Sequence, residues 1–140
     1  MRSKLLLPAL ILLFNPVTFG GQNPPDDPLG ENLFPPELII QHQQAIGLTE
    51  QQKTVLKTEL RQSQARFTEL QWQLQDEMEK MVELIKQDRV DESQTLTQLD
   101  KILNLEREIK RAQITLLIRI KNRLSPEQLV KLREIRSKRR

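Results

Sequence analysis

Few side chains in this chain could act as nucleophiles, general bases or metal ligands. The sequence has one histidine, His42, and neither cysteine nor tyrosine. Its carboxylates are numerous but scattered, and no glycine-rich phosphate-binding loop occurs. Without cysteine there can be no disulfide, thiol nucleophile or thiolate metal site. We therefore expect a protein that is not an enzyme and has no catalytic residues.

Metal binding is the strongest chemical alternative, and His42 is its focus. A histidine ligand on a helix usually has a second ligand three or four residues on, where this chain has Ala45 and Ile46. Met78 and Met81 could offer thioethers to Cu(I), but their spacing fits a helix core better. We expect no resident cofactor. His42 is the one candidate ligand for a transition metal (Zn, Ni, Co or Cu), and a packed or half-exposed histidine is the alternative.

Two short segments repeat one pattern: leucine, a hydroxyl residue, two further residues and glutamine. The hydroxyl can accept a hydrogen bond from the backbone three residues on, and the glutamine can reach back to the cap residue's own N–H. Both segments are therefore predicted to start helices rather than to bind a ligand. The residues of these two capping boxes are Leu48, Thr49, Gln52, Leu124, Ser125 and Gln128.

Apolar periodicity around these helix starts predicts an all-α fold with four helices. Two long helices, joined by a tight charged reversal near residues 87–91, should form an antiparallel hairpin with a short helix at each end. The short first helix should stop at Gly47 in a left-handed cap. The predicted helices span residues 35–46, 49–88, 91–123 and 125–137.

The N-terminal quarter of the sequence has the features of an export signal followed by a linker. Arg2 and Lys4 precede an apolar run from Leu5 to Phe14, which is typical of a secretory signal peptide. Because this run is too short to span a bilayer, we expect cleavage near Gly20 and no stable membrane insertion afterwards. The predicted organisation is a signal peptide at 1–20, a flexible Pro-rich linker at 21–34 and a helical domain at 35–138.

Charge is distributed unevenly along the chain. Residues 21–100 carry 7 basic and 15 acidic side chains, whereas residues 101–140 carry 13 basic and 4 acidic ones. Such a pattern favours an acidic segment beside a basic one, within a hairpin or between two chains, although solvated helix faces are the alternative. Export and the lack of aromatic residues within the basic region argue against nucleic acid as a partner.

Several apolar residues fall outside the predicted hairpin stripe. Trp72 lies on a glutamine-rich face opposite the stripe, which indicates contact with a second subunit or partner. Packing against the short first helix is the alternative. Residues 114–120 are apolar around most of the helix and need more than one neighbour. The candidate dimer or client contacts are Trp72, Ile114, Leu117, Ile118 and Arg119.

In its motifs the sequence resembles the Spy/CpxP-type periplasmic LTxxQ superfamily. The resemblance rests on Pro35-Pro36-Glu37-Leu38 ahead of His42-Gln43, on residues 46–52 and on residues 124–128. It covers about residues 34–136 and looks closest to the periplasmic heavy-metal sensor or resistance branch. It implies a four-helix hooked hairpin, commonly paired as an antiparallel dimer. Members act as ATP-independent chaperones, as repressors that dock on sensor kinases, or as metal sensors that control an anti-sigma factor.

Together, residues and resemblance predict a periplasmic stress factor that binds other proteins. Its expected partners are a second copy of itself and either unfolded periplasmic clients or a membrane regulatory protein, such as a sensor kinase or an anti-sigma factor. A heavy-metal sensor centred on His42 and a purely structural coiled coil are the alternatives. Metal-sensing relatives typically use several histidines with Glu or Met, and only His42 matches such a position here.

Overall fold

A computed structural model describes residues 28–139, which fold as an all-α structure dominated by two long antiparallel helices. The all-α class and the predicted helical hairpin are confirmed. The five helices are α1 (Pro28–Asn32), α2 (Pro36–Gln41), α3 (Glu50–Ile85), α4 (Glu92–Lys121) and α5 (Pro126–Ser137).

The start of the described chain differs from the flexible linker predicted for residues 21–34. Residues 28–32 form the short helix α1, and Phe34 is only 1% exposed, so it belongs to the core. Burial of the Phe34 ring stabilises the ordered segment, which the Pro-rich composition alone did not indicate. The remainder of the predicted linker, and the whole predicted signal peptide, lie outside the described residues.

The short helix α2 ends earlier than predicted, at Gln41 rather than Ile46. Residues 42–47 continue as turns closed by backbone hydrogen bonds, including Leu48 N–H to Gln43 O at 2.9 Å. Gly47 has a φ of +68°, the left-handed conformation that glycine adopts without a side-chain clash. The predicted stop at Gly47 therefore exists, and it turns the chain directly into α3.

The two long helices meet along an apolar seam, and α3 alone is about 54 Å long. Leu56, Leu70 and Met81 of α3 are buried in it. Near the reversal the seam differs from the prediction: Ile85 and Leu99 are exposed, and Gln98 is buried instead. Gln98 lies four residues before the buried Ile102, so it faces α3 directly. Its Nε2 donates to the Glu77 carbonyl (2.7 Å) and to the Glu77 carboxylate (2.6 Å).

The main core lies at the open end of the hairpin, which we call the base. There α2 and α5 cover the ends of α3 and α4, and Leu132 of α5 is fully buried. At the opposite end, residues 76–104 around the reversal form the tip, where only α3 and α4 are present to cover each other. The buried core residues are Phe34, Leu38, Ile39, Ile46, Leu56, Leu116, Ile120, Leu124 and Leu132.

Candidate functional site

Both predicted capping boxes are formed at the base of the hairpin. Thr49 N–H donates to Gln52 Oε1 (3.0 Å), and Gln52 N–H donates back to Thr49 Oγ1 (3.1 Å). The same pair of bonds joins Ser125 and Gln128 at 2.8 and 3.2 Å. Asp91 caps α4 in one direction only, by accepting from Gln94 N–H at 2.9 Å. The first two boxes thus fix where α3 and α5 begin.

The two boxes also bind each other through their glutamines. The Gln52 and Gln128 amides exchange reciprocal hydrogen bonds of 2.8 and 2.9 Å. Each amide nitrogen then reaches the loop before the other helix, since Gln52 donates to Arg123 O (2.8 Å) and Gln128 to Gly47 O (3.2 Å). We call this contact the glutamine bridge. Gln128 is only 6% exposed, and its bonds meet the requirement that a buried amide be hydrogen-bonded.

His42 lies beside a cation rather than beside other metal ligands. Its Nε2 is 3.0 Å from an Arg139 guanidinium nitrogen, which also donates to Gln41 Oε1 at 3.0 Å. Because a guanidinium can only donate, Nε2 accepts and the imidazole proton sits on Nδ1. Among residues 28–139, no three His, Cys, Asp or Glu side chains gather closely enough to hold a metal ion. These residues do not fit a transition-metal site within one chain.

A basic residue of α5 holds the N-terminal segment in place. Arg136 donates to the carbonyls of Gly30, Glu31 and Leu33, and its guanidinium carbon lies 4.4 Å from the centre of the Phe34 ring. From α4, Lys121 donates to Asn32 O at 2.8 Å. These bonds satisfy carbonyls at the end of α1, whose negative dipole end favours cations. The sequence pattern did not reveal this role of Arg136. The one signal that could have indicated it is Phe34, an aromatic residue at the end of an otherwise polar segment.

The predicted contact residues do not form a single surface. Trp72 is 63% exposed above a shallow depression formed with Thr68, Gln71 and Gln75, so the alternative that it packs against the first helix is wrong. Ile118 and Arg119 are exposed near the base, and Ile114 is half-buried. Arg119 pairs with Glu59 at 3.5 Å, which places it about 20 Å along the hairpin from Trp72.

Leu117 must be removed from the set of contact candidates. It is 6% exposed, so it is buried within the chain and is not free to meet a partner. The residue one turn further on, Lys121, reaches Asn32, which shows that the N-terminal segment passes over this face of α4. The apolar stretch at 114–120 is thus partly covered from within, and Ile118 is the residue left outside.

One face of the hairpin is polar and internally paired. Arg66 pairs with Glu108 across the helices at 2.7 Å, and a groove of about 420 Å³ lies further toward the tip. In this groove, a hydrogen bond from Lys80 and then one from Gln98 hold the pKa of the Glu77 carboxyl below its usual value. Both signs of charge line the groove, and Lys80 pairs with Glu77 at 2.9 Å, so the groove is not a selective site for an ion. Its lining residues are Gln73, Asp76, Glu77, Lys80, Lys101, Asn104 and Leu105.

One carboxyl group stands apart from this pairing. Glu106 Oε1 is buried and has no hydrogen-bond partner among the residues that the structure describes. Burial raises the pKa of this carboxyl above its usual value, because the charged form loses hydration. An unsatisfied buried oxygen costs stability, so Glu106 is a candidate for a role outside the fold.

Replacing Gln128 by leucine should strongly destabilise the protein. Gln128→Leu removes the side-chain half of the capping box at α5 and takes one hydrogen-bond partner from Gly47 O and from the Gln52 amide. We expect the free energy of unfolding to fall by about 2–3 kcal/mol, measured by chemical denaturation. The matched control is Gln94→Leu at the one-way cap of α4, which should cost less than about 0.5 kcal/mol. Equal losses in the two variants would contradict a stabilising role for the Gln128 side chain.

Replacing Glu106 by glutamine should stabilise the protein at neutral pH. The folded state raises the pKa of this carboxyl, so it favours the protonated form. That stabilisation is complete below the usual value of 4.5 and is lost as the pH rises through the raised pKa. The Tm of Glu106→Gln should therefore exceed that of the wild type at pH 7, and the difference should vanish in acid. Glu108→Gln, which breaks an exposed ion pair, should show no such gain; a lower Tm for Glu106→Gln at pH 7 contradicts the assignment.

The comparisons with known proteins agree with the motifs described above. No helix within residues 28–139 combines the length and the apolar character needed to cross a membrane. No curated protein and no solved structure matches the chain. The family model for heavy-metal resistance matches residues 5–131, nearly the whole sequence, which confirms the resemblance drawn from the two capping boxes. The chain belongs to the heavy-metal resistance family.

Proposed function

We propose that this protein serves heavy-metal and envelope stress resistance in the periplasm by binding other proteins reversibly and without ATP. The observation that carries the proposal is Trp72, a large apolar side chain left 63% exposed on the outer face of a rigid helix. Exposed aromatic residues on an ordered scaffold are typical of interaction sites. The family supports a role in metal resistance, and the fold supplies a surface for it.

The second contact area lies at the base and combines apolar with basic residues. Ile118 is exposed there next to Arg119, and α5, which packs at the same end of the molecule, carries Lys131, Arg133 and Arg136. Basic residues steer an oppositely charged partner, and the apolar side chain adds contact area once the partner arrives. Such a surface suits partly unfolded clients, or an acidic region of a sensor kinase or anti-sigma factor.

Self-association is part of the proposal. Gln71 and Gln75 flank Trp72, and glutamine side chains can hydrogen-bond to their own kind across a two-fold axis. We propose a homodimer that covers Trp72 and leaves the base of each copy accessible. Sedimentation of the mature protein should then show a dimer, and Trp72→Gln should weaken it.

The chaperone activity can be tested directly with a denatured client. At a stoichiometric ratio and without ATP, the mature protein should suppress client aggregation measured by light scattering. The double variant Trp72→Gln/Ile118→Gln should lose most of this effect, because it removes both exposed anchors without touching the core. The matched control is Val130→Gln, an equally exposed position on α5. If the wild type fails to suppress aggregation, the structural coiled coil becomes the better account.

A metal-sensing function is the second candidate, because the family match favours it. We expect no sub-micromolar site in calorimetric titrations with Zn, Ni, Co and Cu(I), since Arg139 occupies Nε2 of His42. Arg139→Ala frees this nitrogen. Metal binding by this variant but not by the wild type would mean that Arg139 blocks a site, whereas no binding by either would mean that the site is missing. Tight binding by the wild type that disappears in His42→Ala would establish the metal sensor in place of the protein-binding role.

A further inference from the structure

The tip carries an apolar surface on the face of the hairpin opposite the ion pairs. Leu99 and Leu103 of α4 are 37% and 49% exposed and lie one turn apart. Helical periodicity places both about a quarter turn or more from the seam, on the side away from Arg66, Glu108 and the polar groove. Val82 of α3 is exposed on the same side. We call Val82, Leu99 and Leu103 the tip face.

Glu106 extends this face by one further turn of α4. It follows Leu103 at a spacing of three residues, and its Oε1 has no hydrogen-bond partner within residues 28–139. Oε1 itself is buried, but Glu106 as a residue is only half-buried, so a side-chain rotation lets its carboxylate accept from a cationic side chain of a partner. The face thus offers apolar contact at one end and an unsatisfied negative group at the other.

The charges around the tip face point to a basic partner. Residues 76–104 carry eight acidic and four basic side chains. Two of the four cations, Lys80 and Lys86, are already paired with Glu77 and Glu83 one turn before them. The local potential is therefore negative, whereas the base of the molecule is positive. A positively charged segment would be steered to the tip and repelled from the base.

We propose that the tip face binds a short basic amphipathic helix of a partner protein. The apolar side chains of that helix cover Leu99 and Leu103, and one of its cations pairs with Glu106. This inference rests on the proposed protein-binding function and names the chemistry of one class of partner. The base cannot take the same partner, because the N-terminal segment already covers this side of α4 at Leu117 and Lys121.

The size of the tip face favours a short segment over a second copy of this chain. Three half-exposed aliphatic side chains offer on the order of a few hundred Å² at most, whereas a stable dimer buries about 800 Å² per partner. Three of the cations at the base that a second copy could bring are also committed within their own chain. Arg136 and Lys121 hold carbonyls of the N-terminal segment, and Arg119 pairs with Glu59.

The test uses two labelled synthetic helices of about 14 residues, or four turns, with leucine at identical positions. One carries lysine at every polar position and the other carries glutamate. In fluorescence anisotropy titrations with the mature protein, the Leu/Lys helix should bind at least about tenfold more tightly than the Leu/Glu helix. Raising the salt concentration should reduce this difference.

Two variants locate the binding site, and a third serves as the matched control. Leu99→Gln/Leu103→Gln should weaken binding of the Leu/Lys helix by about tenfold or more, because two apolar contacts are lost. Glu106→Gln should weaken it by about threefold, as expected for one partly exposed ion pair. Val130→Gln removes an exposed apolar side chain of α5, away from the tip face, and should leave this affinity unchanged. Circular dichroism checks that every variant remains folded.

Three outcomes would overturn the inference. The first is equal binding of the Leu/Lys and Leu/Glu helices. The second is unchanged binding by Leu99→Gln/Leu103→Gln. The third is a wild-type dimer that this double variant converts to a monomer in sedimentation, which would make the tip face a self-association surface. If client aggregation is still suppressed, only this inference fails; if the Leu/Lys helix binds but aggregation is not suppressed, the proposed chaperone activity fails alone.

Discussion

The glutamine bridge is the contact on which the arrangement of the helices depends. Two amides, each already part of a capping box, meet at the base and also close the loops that precede α3 and α5. The start of one helix is thereby tied to the start of another that lies more than seventy residues further along the chain. The sequence has no cysteine, and the described residues offer no fitting metal site. This polar contact therefore supplements apolar packing in a role that a disulfide plays in many small domains.

The base and the tip are stabilised by different means. At the base, four helical segments share one apolar cluster, and the cations of α4 and α5 bind carbonyls of the N-terminal segment. At the tip, only α3 and α4 cover each other, and a glutamine replaces a leucine in the seam. Local unfolding should therefore begin at the tip, where fewer apolar contacts must be broken. A region of lower local stability is also one that can adapt to a partner.

The sequence predicts the helices and turns well because each of them depends on residues that are close together in the chain. Thr49 and Ser125 cap helices through residues three positions away, Gly47 adopts a left-handed turn, and apolar periodicity defines α3 and α4. Contacts between distant segments are not visible in this way. No local pattern shows that Gln52 meets Gln128, or that Arg136 holds the segment before α2.

In the candidate site too, features that depend on local sequence are predictable, and those that depend on distant contacts are not. Exposure of Trp72 is predictable from its position opposite the seam, because that depends only on helical period. The burial of Leu117 depends on where the N-terminal segment runs, and the contact between Arg139 and His42 depends on how α5 folds back. The unpartnered oxygen of Glu106 likewise arises from packing rather than from composition.

The hydrogen bonds from Arg136 to residues 30–33 determine where the two ends of the described chain lie. Because α5 binds the first described residues, both ends of the described chain emerge from the base, side by side. Anything attached to either end, whether a linker or a label, would sit at that end of the molecule. The reversal at residues 86–91 then lies about 54 Å from that end, the length of α3. The protein is a stiff arm whose acidic, partly apolar end lies furthest from both ends of the described chain.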